Sequence, residues 1–256
     1  MNIVSIIGAR VLEFIHDVGA FMILLWRIIK ALPSFFRRSG LTFEQMMQMG
    51  VASLPLVIFA SVFTGAVSAV QASYQFHNII PKSYLGAAVG KAVIIELGPV
   101  LTALVIAGRV GASIAAEIGT MKVTEQIDAL EAMAIDPIKY LAVPRFISGV
   151  IMLPVLTIFA DFVAIMGGLV VAVFFVDLNA ITYLNGIKRF FDLFDLFGGL
   201  LKAGIFGAII STVGCYHGFL TRGGAQGVGL STTRAVVYAS VLILIADYVV
   251  AHILFG

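Results

Sequence analysis

The sequence predicts an all-α integral membrane protein: an N-terminal interfacial helix, five transmembrane helices, and a short cytoplasmic coupling helix between the second and third. Three observations predict it. Of the 256 residues, 61% are hydrophobic and only 12% are charged, whereas soluble domains carry about 25%; the mean hydropathy is +1.08. Apolar stretches long enough to cross a bilayer recur at 49–72, 84–111, 146–176, 198–220 and 236–254. One polar, regularly patterned stretch, 124–136, interrupts the series. Residues 1–256 therefore read as a single membrane domain with no room for a soluble one.

The elements follow in order. Residues 1–38 do not read as a signal peptide, because there is no basic start and Arg10, Glu13 and Asp17 interrupt the apolar run. Ile3, Ile7, Phe14, Val18, Phe21 and Leu25 recur at helical spacing, which suits a helix lying in the membrane interface. Trp26, Arg27, Lys30, Arg37 and Arg38 suit a headgroup zone. The first span contains Pro55 and Gly65, and His77, Pro81 and Lys82 mark the connection after it. The third span holds Pro154, Asp161 and Gly167-Gly168 and is longer than a straight crossing needs. Between the third and fourth spans, Asp192 and Asp195 lie among phenylalanines, so 177–197 reads as a loop forming an interfacial segment. The stretch TRGGAQGVGL at 221–230 reads as a flexible cytoplasmic loop, and the last span carries Asp247.

The second span is the most informative. Lys91 and Arg109 are eighteen residues apart, which is five whole turns and about 27 Å. They bracket a hydrocarbon core of roughly 30 Å. Glu96 lies between them, about 140° round the helix from both, so it pairs with neither along the helix. An acid at that depth must face protein or a wet cavity, or be protonated. Pro99, after Gly98, removes a backbone donor next to it and invites a kink. Asp161 and Asp247 are the other acids inside spans, and the sequence supplies no partner for any of the three. Glu96, Gly98, Pro99, Asp161 and Asp247 are the substrate or translocation candidates.

In the polar stretch, Thr124 suits an N-cap and Glu125 the positive end of a helix. Ile127, Leu130 and Ala134 form one stripe, with Glu125, Asp128, Glu131 and Ala132 on another side. Asp136-Pro137 ends the helix. Such an amphipathic helix suits docking into a groove on a soluble partner. Orientation comes from the basic residues. Of the 16 Lys and Arg, 11 fall on the N-terminal side of the membrane. The others are Lys82, Lys91, Lys188, Arg189 and Lys202. The N-terminus, the coupling helix and the glycine-rich loop are therefore expected in the cytoplasm, and the C-terminus outside.

Other chemistry fails on spacing. Gly86 to Lys91 is one residue short of a P-loop and no Ser or Thr follows the Lys, so ATP hydrolysis is not expected here. Ser113 and the Cys215/His217 pair make no catalytic set. No metal site is expected from His16, His77, His217 and His252, which are scattered, and the single Cys215 allows no internal disulfide. The net charge of +2 suggests no nucleic-acid partner.

ELGPVLTALVIAGRVGASIAAEIGTM, then TEQIDALEAMAIDP, then PRF, and the tail STTRAVVYASVLILIADYVVAHILFG, resemble the MlaE-type (YrbE-type) permeases. Members often have Arg before the Glu of ELGP, where this chain has Ile95. The resemblance implies a non-catalytic permease subunit of an ABC transporter in the bacterial inner membrane, moving phospholipids or related lipids. It implies a second copy of the chain as partner, a cytoplasmic ATPase that carries the ATP, a periplasmic MCE-domain lipid-binding protein and, in some systems, a STAS-domain protein. The coupling residues it points to are Thr124, Glu125, Ile127, Asp128, Leu130, Glu131, Asp136 and Pro137. The residues alone also fit a stand-alone proton- or ion-coupled transporter using the three intramembrane acids, or a membrane scaffold.

Overall fold

The computed structural model describes the backbone of residues 3–37, 39–76 and 80–256. Arg38 and His77 lie outside the described residues, as do the side chains of Ile3, Ile7, Arg10, Glu13, Phe14 and Arg37. Every regular element among the described residues is helical. α1 (Ile3–Ala31) is followed by α2 (Ser39–Met49) and α3 (Leu54–Phe76). The second span is built of α4 (Leu85–Ala92), α5 (Gly98–Ile106) and α6 (Ala112–Val123). Then come α7 (Gln126–Ala132), α8 (Val143–Phe175), α9 (Ala180–Phe190), α10 (Leu193–Phe219) and α11 (Gly224–Phe255).

Among the described residues, five helical stretches are long and apolar enough to cross a membrane: Ser39–Phe76, Lys82–Val123, Ile138–Phe175, Leu193–Phe219 and Gly224–Leu254. They run antiparallel in turn, so the bundle has an α7 end and an α9 end. The helices continue past the apolar stretches because the polar residues at their ends keep the helical backbone. α8 is the central post, packing against α2, α3, α5 and α10. Small residues set how closely the helices approach. A methyl at Gly65 would overlap the Ala164 carbonyl of α8, and one at Gly207 would overlap the Gly149 carbonyl across the α8–α10 crossing. α1 lays Ile28, which is fully buried, into the core and stacks Phe21 edge-on to Tyr216 of α10. The Tyr216 hydroxyl donates to the Asp17 carbonyl, 3.2 Å.

Two expectations are corrected. The glycine-rich stretch is not a loop. Only Leu220–Gly223 separate α10 from α11, and helix resumes at Gly224. Gly223 and Gly224 have φ of +87° and +68°, which makes the reversal, and a methyl at Gly227 would overlap the Arg222 carbonyl. Its glycines thus make a tight corner. Within 177–197 lies a second helix, α9. Asn179 Oδ1 caps it by accepting from Ile181 N–H, 2.8 Å. Tyr183 of α9 is fully buried against α4, its hydroxyl 3.4 Å from the Ile165 carbonyl. Burial raises its phenol above the ordinary range.

Candidate functional site

The second span stays helical through Pro99 because a π turn, Val93–Leu97, precedes it. The Gly98 N–H donates to the Val93 carbonyl, five residues back. Pro99 has no N–H to offer that turn. The Ile94 carbonyl lies against Gly199, where a methyl would overlap it, so α10 closes on this side of the turn. Such wide turns frequently mark functional positions. Here the turn carries Glu96.

Glu96 meets a cation from the fourth span, one that the sequence counts only among the basic residues on the side opposite the N-terminus. Lys202 of α10 is fully buried. Its Nζ lies 2.6 Å from Glu96 Oε2 and 2.9 Å from Asp247 Oδ1 of α11. Three helices are therefore joined at one ammonium. Lys202 is nine residues into α10 and Asp247 eight from the end of α11, roughly 12–14 Å in from the α9 end. A lysine at this depth needs counter-charges, because desolvating an unpaired ion costs several kcal/mol. The three members differ in access. The Asp247 side chain is 14% exposed and that of Glu96 44%. Glu96 is thus the member that a molecule outside the bundle can reach.

Asp161 stands apart from this triad. It is 6% exposed, its Oδ1 has no hydrogen-bond partner, and no cation pairs with it among the described residues. It lies directly against Gly98, where a methyl would overlap Oδ1. Glu96, Gly98, Pro99 and Asp247 are therefore drawn together around one turn, while Asp161 presses on it from α8. A shallow groove between α3 and α5 runs beside it, lined by Val57, Ser61, Thr64, Gly98, Leu101 and Thr102. Ser61 and Thr64 donate to their own helix, at Val57 O and Ala60 O, so those two hydroxyls are already engaged.

The coupling segment is shorter than the sequence suggests. Thr124 is not an N-cap: its hydroxyl donates back to the Thr120 carbonyl, 2.8 Å, and closes α6. Glu125 precedes α7 in the left-handed region, φ 59°, and makes no side-chain cap. α7 ends at Ala132, and Ala134 is left-handed, φ 58°. Ala134 therefore leaves the expected stripe, while Ile127 is buried and Leu130 half-buried. Glu125, Asp128, Glu131, Ala132 and Met133 are exposed. Asp136 does not close α7; its Oδ1 accepts from Ile138 N–H, 3.0 Å, and with Pro137 opens the π turn Ile138–Ala142 that leads into α8.

Sequence reasoning missed three residues. Lys202 lies only four residues inside the expected fourth span, where a lysine ordinarily snorkels to the surface. Glu117 of α6 and Arg145 of α8 pair at 2.8 Å just inside the α7 end. In the sequence Arg145 counts toward orientation and stands in the PRF motif, with no partner indicated. Neither partner signals the other, because Arg145 lies on a different helix 28 residues further along.

A family model described as Permease MlaE matches residues 42–253. A probable ABC transporter permease protein of Rickettsia felis is 41% identical over 100% of this chain and 98% of its own length. The intermembrane phospholipid transport system permease protein MlaE of Haemophilus influenzae is 32% identical over 100% of the chain and 98% of its own. The chloroplastic protein TRIGALACTOSYLDIACYLGLYCEROL 1 of Arabidopsis thaliana is 38% identical over 84% of the chain and 61% of its own.

Proposed function

This chain belongs to the MlaE family of ABC transporter permeases, and we propose that it moves phospholipids or related lipids between the inner membrane and a periplasmic MCE-domain carrier. A separate cytoplasmic ATPase supplies the energy. The observation that carries this reading is Glu96, half-exposed on an apolar bundle and held by the fully buried Lys202. A polar point reached from an otherwise greasy surface suits a molecule that is itself part polar and part hydrocarbon. A lipid can set its headgroup toward Glu96 and its tails along apolar helix faces. A second copy of the chain completes the enclosure. The exposed apolar side chains of α11, among them Val241, Leu244, Tyr248 and Val249, offer it a surface.

The exposed acids Asp128 and Glu131 on α7 face the ATPase, and Ile127 fixes α7 to the bundle. In some systems a STAS-domain protein joins the assembly. The chain's own residues bind and position; ATP is held by the partner.

Purification from native membranes in mild detergent, with mass spectrometry of what co-elutes, tests the reading. A stoichiometric ATPase, an MCE-domain protein and bound phospholipid are expected. A chain that elutes without an ATPase, yet transports in proteoliposomes, would overturn it in favour of an ion-coupled carrier. Glu131→Arg is expected to reduce ATPase co-elution severalfold while the chain still inserts, because a reversed charge at the rim replaces an attraction by a repulsion and slows association.

A further inference from the structure

Glu117 does more than neutralise Arg145. Its Oε1 accepts from Gln48 Nε2 of α2, 3.1 Å, and from Ser113 Oγ one turn earlier, 3.2 Å. Its Oε2 accepts from Arg145 Nη2, 2.8 Å, and Arg145 Nη1 donates to the Leu141 carbonyl in the π turn before α8, 3.0 Å. A second tie lies close by: Ser148 Oγ of α8 donates to the Thr42 carbonyl of α2, 2.9 Å. The Arg145 side chain is 8% exposed and that of Glu117 34%, so water screens the pair only partly.

These bonds span the two ends of the coupling segment. α6 enters it and α8 leaves it; between them lie α7, of seven residues, flanked by two left-handed residues, Glu125 and Ala134, and then the π turn Ile138–Ala142. A helix that short does not hold itself together; Lys122 Nζ of α6 meets Asp128 Oδ1 at 2.8 Å and ties α7 to α6. A push on α7 then moves α6, and passes directly to α8 where α6 and α8 are braced. The ion pair is that brace, and Gln48 extends it to α2 and the first span. Beyond it α8 continues as one helix, through Pro154, from Arg145 to Asp161, which rests on Gly98 beside Glu96.

We infer that Glu117 and Arg145 are positioning residues that lock α2, α6 and α8 into one body, so that movement delivered at α7 reaches the turn carrying Glu96. This rests on the transporter reading above. It assigns the pair to transmission, apart from the docking surface on α7.

The test uses the intact complex from native membranes, reconstituted into vesicles containing acyl-labelled fluorescent phosphatidylethanolamine. ATP hydrolysis and lipid movement are measured together. With Glu117→Gln, the ATPase is expected to co-purify at the wild-type ratio and hydrolyse at a similar rate. Lipid moved per ATP is expected to fall about fivefold. Arg145→Lys keeps the charge but not the fork that reaches both Glu117 and the Leu141 carbonyl, so its ratio falls less. The reciprocal exchange, Glu117→Arg with Arg145→Glu, is expected to recover much of the lost ratio. An unchanged ratio in both single variants would overturn the inference. Loss of the ATPase in step with loss of transport would also overturn it, by making the pair part of the docking surface. Wild-type vesicles that move lipid without any ATPase would instead sink the transporter reading itself.

Discussion

Lys202 is the residue on which most depends. It has no exposed surface and touches two carboxylates from different helices. Removing it leaves two acids facing each other in an apolar bundle. Breaking a buried pair from one side costs about 3–5 kcal/mol. Lys202→Met is therefore expected to lower the melting temperature of the detergent-purified protein more than Glu96→Gln does. Adding Glu96→Gln and Asp247→Asn to Lys202→Met is expected to restore most of the stability, because a neutral set needs no counter-charge. Transport is expected to stay lost in that triple variant. Recovery of transport along with stability would reduce the triad to a fastener.

At the scale of the element, the π turn at Val93–Leu97 and its neighbour Gly98 work as one device. Gly98→Ala drives a methyl into Asp161 Oδ1, and overpacking of this kind costs about 1–3 kcal/mol. Loss of thermal stability and of transport together is the expected outcome. Asp161→Ala in the same chain makes room, and should return the stability. The three acids were legible in the sequence because charge is conspicuous in apolar spans, and Pro99 announced a disturbed helix. What the disturbance does was not legible. The pairing of Glu96 with Lys202 crosses 106 residues, and helical periodicity speaks only within one helix. α7 was legible as a polar interruption. Its true ends were not, because the left-handed turns fall on Glu125 and Ala134, neither of which is glycine. α9 was hidden for a different reason: it buries Tyr183 and Gly186 on one face and shows Ile181 and Leu184 on the other, so its composition resembles a greasy loop.

For the whole molecule, the antiparallel run of five spans puts α7 and α9 at opposite ends of the bundle. From the bias of basic residues we propose that the α7 end is the cytoplasmic one. Cysteine labelling checks this cleanly, because the native Cys215 is fully buried and can be replaced by Ser. Met133→Cys, at an exposed position beside α7, is expected to react with an impermeant maleimide only in inside-out vesicles. Lys188→Cys, exposed on α9, is expected to react only from the outside. The opposite pattern would invert the molecule and remove α7 from reach of any cytoplasmic ATPase. Fold class and span number were legible at this scale from composition and length alone, since lipid forces the backbone into helices.

The shared ammonium of Lys202 also has a meaning in time. Glu96 leaves the ribosome 106 residues before Lys202 does, a delay of about 5–20 s at ordinary rates of synthesis. Throughout that interval the newborn second span holds an acid with no counter-ion, and it gains one only when α10 arrives. A chain cut short before α10 keeps that acid bare.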